Sequence, residues 1–529
     1  MNKWISTLRD GLSSRSWSRW RLEFASFCAG AVAVLGLPPY HQQFLMILGL
    51  AVLIVLVSRV SWKRGAWLGF FFGLGHFSFG FSWLLTSLHR YGDLWMGLSL
   101  LILLLLAATM AVYTALFGGL LRRCATQPGL LPLAAPALWV IGEWLRSHLF
   151  TGFPWNLAGY AWSDQERIVQ VADLGGVWLL SWLMVFPASL LAWVWLRRFA
   201  RYPVIAGGVL LLGSLALAAG YGTWRSAELA ALQHRDAGAR PLKVALVQGN
   251  VEQSKKWDPK FREEGFIKYL GLSGGINEPV DLIVWPETAI AFFIQASPDN
   301  LKRIQTLSQR LGAPILTGAP MADRDGDGEM EGKWLFYNSM VLLDATGDLN
   351  RRYDKYHLVP FGEFVPFRQF MPSFIKKITY GSEDFSRGPG AVPMPWEHGA
   401  IGGLVCYETI FPHEVRELAL AHARWLVNVT NDAWFGEAAK PQHLAMAQLR
   451  AVENRIPMIR VANTGISAAF DQLGRELGRI HPNEAGTLIV TVPQGSGMSF
   501  FQRSEPWWIG VWLLMVALAW FPGRMSKGV

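Results

Sequence analysis

The chain has 529 residues, of which 52% are hydrophobic and only 16% charged, with 26 tryptophans and a formal net charge of +9. That length exceeds one ordinary core and calls for two or more units, and the composition argues against a fold that is soluble throughout. The positive excess sits largely in short segments between apolar runs, which is a signal of membrane topology and not the footprint of a nucleic-acid binder.

The N-terminal stretch MNKWISTLRDGLSSRSWSRWR resembles a signal peptide's basic region, but no small-residue cleavage site precedes the next apolar run, so it is read as retained. Crossing a bilayer core of ~30 Å takes about 20 apolar residues. Runs of that kind lie near 22–38, 43–58, 65–88, 94–121, 130–149, 168–196, 203–221 and 506–522. The expectation is a membrane domain of seven spans over 1–221, a linker over 222–240, a water-facing domain over 241–500, an eighth span over 506–522 and a tail over 523–529.

Lys and Arg stay preferentially on the cytoplasmic side. With the N-terminus inside, the inner segments hold fifteen of them, while the opposite short loops hold Arg90, Arg146 and Arg167. Both termini are therefore expected in the cytoplasm and 241–500 on the far side. Cys28 and Cys124 fall in or beside spans and cannot reach Cys406 to form a disulfide. Cys406 is then a free thiol in a compartment where pairing is the norm.

From 241 onward the apolar runs are short and β-branched: PLKVALVQGN, DLIVWPET, APILTGAP, WLFYNSMVLLD, AIGGLVCYET, ARWLVNVTND, IRVANTGISAAFD and AGTLIVTVP. Helical segments are expected at 258–273, 298–311, 412–423 and 440–454, which makes a two-sheet core with helices outside. In such folds chemistry gathers at strand ends. DLIVWPET delivers Glu287 there, GGLVCYET delivers Cys406 and then Glu408, and RRYDKYHLVPFGEF carries Lys355 after another strand.

Taken singly these residues have ordinary readings. A buried cysteine is usually an inert small hydrophobe, Glu287 suits a helix cap, and Lys355 suits a solvated loop. Taken together, a carboxylate, an ammonium and a thiol can act as base, oxyanion stabiliser and nucleophile. The segment DRDGDGEMEGKW at 323–334 opens like a calcium loop, but its twelfth position is Trp334 where a bidentate glutamate is needed, so a solvated hairpin turn is expected. The histidines show no ligand spacing, and no metal or cofactor is expected.

WPET, DKYHLVPFGEFVP and GGLVCYE, in that order, resemble the Glu-Lys-Cys signature of the nitrilase superfamily. Set between seven spans and one, and accompanied by TGFPWNLAGY at 151–160 and VQGNVEQSKKWDP at 247–259, they resemble the membrane-embedded apolipoprotein N-acyltransferase family. The resemblance implies a nitrilase-like α-β-β-α sandwich beside an eight-span helical domain in a bacterial inner membrane, with the catalytic domain periplasmic. It implies Glu287 as proton acceptor, Lys355 as oxyanion stabiliser and Cys406 as the acylated nucleophile, with Trp257, Glu363, Tyr407 and Glu408 in support. It implies a phospholipid acyl donor, phosphatidylethanolamine in particular, and diacylated apolipoproteins as acceptors.

The loop FGEFVPFRQFMPSFIKKITYG at 361–381 places Phe364, Phe367 and Phe370 among other rings beside Lys376 and Lys377, which suits lipid access at an interface. Packing of those rings on their own domain is the alternative, and Trp434 and Phe435 form a candidate second lip. Two other functions stay open. One is a membrane-tethered amidase or nitrilase with the same reactive residues and a different acceptor. The other is a transporter, for which the apolar runs offer few ionisable groups, chiefly His76, Glu143 and Asp173.

Overall fold

The computed structural model describes residues 19–124, 127–235, 240–256, 258, 260–325, 333–349, 351–366, 384–495 and 499–525. The apolar runs form helices α1 (Arg19–Ala33), α2 (Gln43–Ser58), α3 (Trp62–Gly80), α4 (Met96–Cys124), α5 (Leu131–His148), α6 (Ala172–Leu196), α7 (Arg201–Arg235) and, at the end, α13 (Phe500–Met525). Helices thus stand at all eight expected places. Among the described residues four stretches, Met96–Cys124, Pro128–His148, Val169–Leu196 and Arg201–Leu232, are long and apolar enough to cross a membrane, and Gln43–Ser58 is apolar but shorter. Side chains such as Leu212, Leu217 and Trp507 face outward, as they do in a protein whose surroundings include lipid.

Glycines four residues apart allow close helix packing. Gly65, Gly69 and Gly73 let α3 lie directly on α4, and a Cβ on Gly69 would come within 2.2 Å of the Thr114 carbonyl oxygen. Two details differ from the sequence reading. Helix α7 runs on to Arg235 through most of the stretch read as a linker, because WRSAELAALQH is rich in good helix formers and lacks Gly and Pro. Arg146, counted as a loop charge, lies in the last turn of α5, buried. Its Nη1 donates to the carbonyls of Phe153 and Trp155 at 2.8 and 2.6 Å.

The second half is built on two sheets. One has the order β11-β1-β2-β3-β4-β5, with β1 (Leu242–Gln248), β2 (Leu282–Val284), β3 (Ile315–Arg324), β4 (Trp334–Leu343), β5 (Arg352–Asp354) and β11 (Gly486–Val492). The other has the order β10-β9-β8-β7-β6, with β6 (Ile401–Val405), β7 (Trp425–Thr430), β8 (Met458–Ala462), β9 (Ser467–Phe470) and β10 (Glu476–Ile480). Each sheet has a parallel trio, β1-β2-β3 or β6-β7-β8, extended by antiparallel strands. IRVANTGISAAFD, one run in the sequence, folds as the pair β8 and β9 because a turn at Asn463-Thr464-Gly465 splits it.

The sheets meet through Val244, Leu246, Val284, Leu342, Val405, Val427 and Val461. Helices α9 (Arg262–Gly274) and α10 (Pro298–Leu311) cover the outer face of the first sheet. Helices α11 (Pro412–Leu420) and α12 (Ala439–Asn454) cover that of the second. A short helix, α8 (Gln253–Lys256), follows β1.

The two halves share one apolar core. Trp155, Leu157, Val177 and Trp178 of the helical half cluster with Tyr407, Phe411, Met446 and Val452. Buried polar contacts cross the same boundary. Asp173, held within its own half by Arg225 at 2.6 Å, pairs across the boundary with Arg455 at 3.0 Å, Glu453 accepts from Val177 N at 2.8 Å, and Gln442 accepts from Trp155 Nε1 at 2.7 Å. Asp173 and Glu143 are occupied in this way by structural partners, Glu143 accepting from Trp139 Nε1 and Ala158 N. Both carboxylates brace the fold through these bonds.

Candidate active site

Three strand ends converge. Glu287 lies three residues past β2, Lys355 directly follows β5, and Cys406 directly follows β6. Two glycines make the approach possible. A Cβ on Gly318 would lie 2.6 Å from Glu287 Cα, and one on Gly403 would press on the Tyr353 ring at 3.0 Å. The glycine pair that opens GGLVCYET thus packs to both sides: Gly403 lets the strand lie flat against Tyr353 just before it delivers the thiol, while a Cβ on Gly402 would meet Ala423 and Leu426 at 3.0 and 3.1 Å. Cys406 itself has φ 53°, a left-handed conformation that a non-glycine residue adopts only when its surroundings enforce it.

The side chains form one buried cluster. Lys355 is 1% exposed, which removes the reading of a solvated loop charge. Its Nζ lies 2.9 Å from Glu363 Oε2. Asn338 Nδ2 donates to Glu287 Oε1 and to Glu363 Oε1, both at 2.8 Å, and so fixes the two carboxylates relative to each other. Glu408 is fully buried beneath the turn that carries Cys406. It accepts from Tyr353 Oη at 2.8 Å and from the backbone N–H groups of Tyr356, His357 and Val405 at 2.8, 3.0 and 2.7 Å. One carboxylate thus ties the Lys355 loop to the Cys406 turn.

The charges of the cluster are set by burial and by one another. Burial alone would lower the Lys355 ammonium, but Glu363 and then Glu287 outweigh it and hold Lys355 above its ordinary value. Burial pushes the Cys406 thiol up, Glu287 pushes it further, and Lys355 only partly opposes them. The resting group is therefore a thiol, and a base must take its proton as it attacks. Burial also pushes Glu408 up, to about 7, against Lys355 and its backbone donors.

Tyr407 is buried with its Oη 3.4 Å from the Gly152 carbonyl and its ring near Phe153 and Phe411. The 151–160 stretch of the helical half therefore roofs the turn that carries Cys406. Phe435 turns inward onto Trp83 and Trp155. Trp434 packs on Tyr91, and its carbonyl accepts from Ser87 Oγ at 2.6 Å. Phe364 is half-buried under the Arg387 guanidinium. Trp257, Phe367 and Phe370 lie outside the described residues, as does the tip of the 323–334 hairpin, whose Asp323 pairs with Arg352.

Several polar residues of the cluster escaped the sequence reading. Asn338 sits in the apolar run WLFYNSMVLL, Asn428 in WLVNVT and Arg460 in IRVA; a polar side chain inside a buried strand was the available signal. Lys256 is also buried. Its Nζ donates to the Glu287 carbonyl oxygen at 2.9 Å, and burial brings its ammonium down to about 8 against the pull of Glu287 and Cys406.

Comparison with known proteins places both halves. Residues 29–190 match the profile of the apolipoprotein N-acyltransferase N-terminal domain, and residues 243–499 match that of carbon-nitrogen hydrolases. An apolipoprotein N-acyltransferase from Geobacter metallireducens is 37% identical over 90% of each chain, and one from Vibrio vulnificus is 32% identical over 96% of this chain and 98% of its own. A solved carbon-nitrogen hydrolase superfamily protein from Xanthomonas campestris aligns with 52% of this chain and 97% of its own at 20% identity, with a TM-score of 0.35. With both profiles matched in order and relatives similar from end to end, the chain belongs to the apolipoprotein N-acyltransferase family.

Proposed function

We infer that this chain transfers a fatty acyl group from a membrane phospholipid to the α-amino group of the S-diacylglyceryl-cysteine that begins an apolipoprotein, through a thioester on Cys406. The observation that carries this reading is a thiol, a carboxylate and an ammonium buried together at the ends of β6, β2 and β5, under a roof contributed by the helical half. The family of its relatives supplies the donor and acceptor classes.

In the first half-reaction Glu287 takes the proton of Cys406 while sulfur attacks the ester carbonyl, and Lys355 holds the oxyanion. Collapse breaks the ester C–O bond, and the departing lysophospholipid oxygen takes the proton from Glu287. In the second, the acceptor amine attacks the thioester, Glu287 receives the amine proton, and the expelled sulfur takes it back. Glu363 orients Lys355, Glu408 braces the Lys355 and Cys406 segments, and Tyr407 and Trp257 are assigned supporting roles at the site. Lipid access is assigned to the aromatic segment that carries Phe364, Phe367 and Phe370, with phosphatidylethanolamine as the proposed donor.

The same reading assigns a nitrilase-like α-β-β-α sandwich over 241–500, eight spans in a bacterial inner membrane, both termini in the cytoplasm and the catalytic domain in the periplasm. Fifteen inner Lys and Arg against Arg90 and Arg167 outside, with Arg146 taken up inside α5, support that orientation. A reporter active only in the cytoplasm should be silent when fused near residue 330 and active when fused after Val529; the reverse pattern overturns the topology. The chemistry is tested by incubating the full chain with phospholipid and no acceptor. Intact mass should show one acyl group on Cys406, released by neutral hydroxylamine and passed to a diacylated lipopeptide when one is added. An acyl group on another residue, or none, would refute the assignment.

A further inference from the structure

Beneath the nucleophile lies a buried polar group that the two half-reactions leave without a task. His443 on α12 is fully buried, and its Nε2 is 3.2 Å from the carbonyl oxygen of Cys406. A carbonyl only accepts, so Nε2 carries the proton. Nδ1 faces Asp432 Oδ1 and Arg460 Nη2, each at 3.1 Å. Burial and then the Arg460 cation hold the imidazole below its ordinary value, which leaves Nδ1 free to accept from Arg460.

Asp432 does not need an imidazole proton. Its carboxylate accepts from Arg460 Nη2 at 2.6 Å and from Thr430 Oγ1 at 2.9 Å. Arg460 also donates to Asn428 Oδ1, and Asn428 Nδ2 donates to the carbonyls of Leu404 and Cys406 at 3.1 and 3.4 Å. Two donors, His443 Nε2 and Asn428 Nδ2, thus converge on the Cys406 carbonyl, and one guanidinium orders both. A histidine that only filled space between Trp155 and Phe435, whose rings lie 5.8 Å away on either hand, would need none of these partners.

The Cys406 carbonyl belongs to the same peptide group as the Tyr407 N–H. That N–H is second in the 3₁₀ turn Cys406–Ile410, ahead of the turn's first internal bond. Hydrogen bonding at one end of a peptide strengthens donation at the other. We propose that His443 is a positioning residue for acyl transfer, whose Nε2–H fixes the left-handed backbone of Cys406 and polarises the Cys406–Tyr407 peptide so that Tyr407 N–H joins Lys355 in holding the oxyanion. This rests on Cys406 being the nucleophile.

The test compares three variants of the full chain in detergent, reading the rate of Cys406 acylation by intact mass, the donor concentration at half-saturation and the thermal midpoint. His443→Gln carries an amide N–H to the place of Nε2, whereas His443→Asn is too short and His443→Leu has no donor. The acylation rate should fall by about 10- to 10²-fold in the Leu and Asn variants, less than the loss of a direct oxyanion donor. Half-saturation should hold, and Gln should recover most of the rate. If Asn and Leu acylate as fast as wild type, or if Gln and Asn lose rate equally in step with a lower thermal midpoint, His443 is a packing residue and the inference is wrong. Failure of wild type itself to acylate Cys406 would instead remove the nucleophile assignment.

Discussion

Cys406→Ala protein should form no acyl-enzyme from phospholipid and release no lysophospholipid, while folding as wild type does. The fold is expected to survive because the bonds from His443 and Asn428 reach its carbonyl, and Thr430, the thiol's hydrogen-bond neighbour, keeps Asp432 as a partner. Losing the nucleophile of a covalent mechanism costs on the order of 10⁶-fold in turnover where it has been isolated, so any residual transfer should sink to background. The resting thiol gives a second readout. With burial and Glu287 both raising Cys406 above an ordinary cysteine, a thiolate-selective alkylating agent at neutral pH should label it more slowly than free cysteine. Normal transfer by Cys406→Ala would end the covalent reading. Rapid labelling at neutral pH would mean that Glu287 is not needed to take the proton.

Lys355→Met should abolish useful acylation and destabilise the domain, and a second substitution should separate the two effects. The ammonium is the cation paired with Glu363, and Glu287 is held to the same Asn338 amide. Removing it strands two carboxylates in a buried space, and breaking one partner of such a pair costs about 3–5 kcal/mol. Loss of the oxyanion's donor should itself cost roughly 10²- to 10³-fold in rate. In Lys355→Met/Glu363→Gln the uncompensated charge is reduced, so the thermal midpoint should return most of the way while activity stays lost. Recovery of activity in the double variant would show that Lys355 serves the fold alone. Because Lys355 is held above its ordinary 10.5, its contribution to stability is fully present at neutral pH and fades only as pH rises through that higher folded value.

The parts that were legible in the sequence were those written in period and punctuation. Apolar runs marked the places of eight helices, and β-branched runs ending in Glu287 and Cys406 marked the strand ends where those residues stand. Strands β5 and β10 were not legible, because RYD and ELGRI are short and charged and are strands only through pairing with β4 and β9. The supporting polar residues were hidden for a related reason. Asn338, Asp432, His443 and Arg460 are far apart in sequence and acquire their roles only when two sheets and a helix bring them within hydrogen-bond reach. The loop charges gave orientation without location, so Arg146 counted toward a loop although it works inside α5.

Helix α12 carries Gln442 and His443 at one end, against Trp155 and the Cys406 carbonyl, while Glu453 near its other end and Arg455 just past it reach Val177 and Asp173. The consequence is one of order in biosynthesis. The segments bearing Trp155, Asp173 and Val177 leave the ribosome well before their partners on α12 and stand inserted while the reactive domain is still being made. That domain then matures against a template already in place, with α13 arriving last to meet Asp173 through the Phe500 N–H. Residues 241–500 severed from the rest would present Tyr407, Phe411, Met446 and Val452 to water and would lack the surface on which their reactive turn is shaped, so catalytic competence in this chain is inherited from the bilayer half.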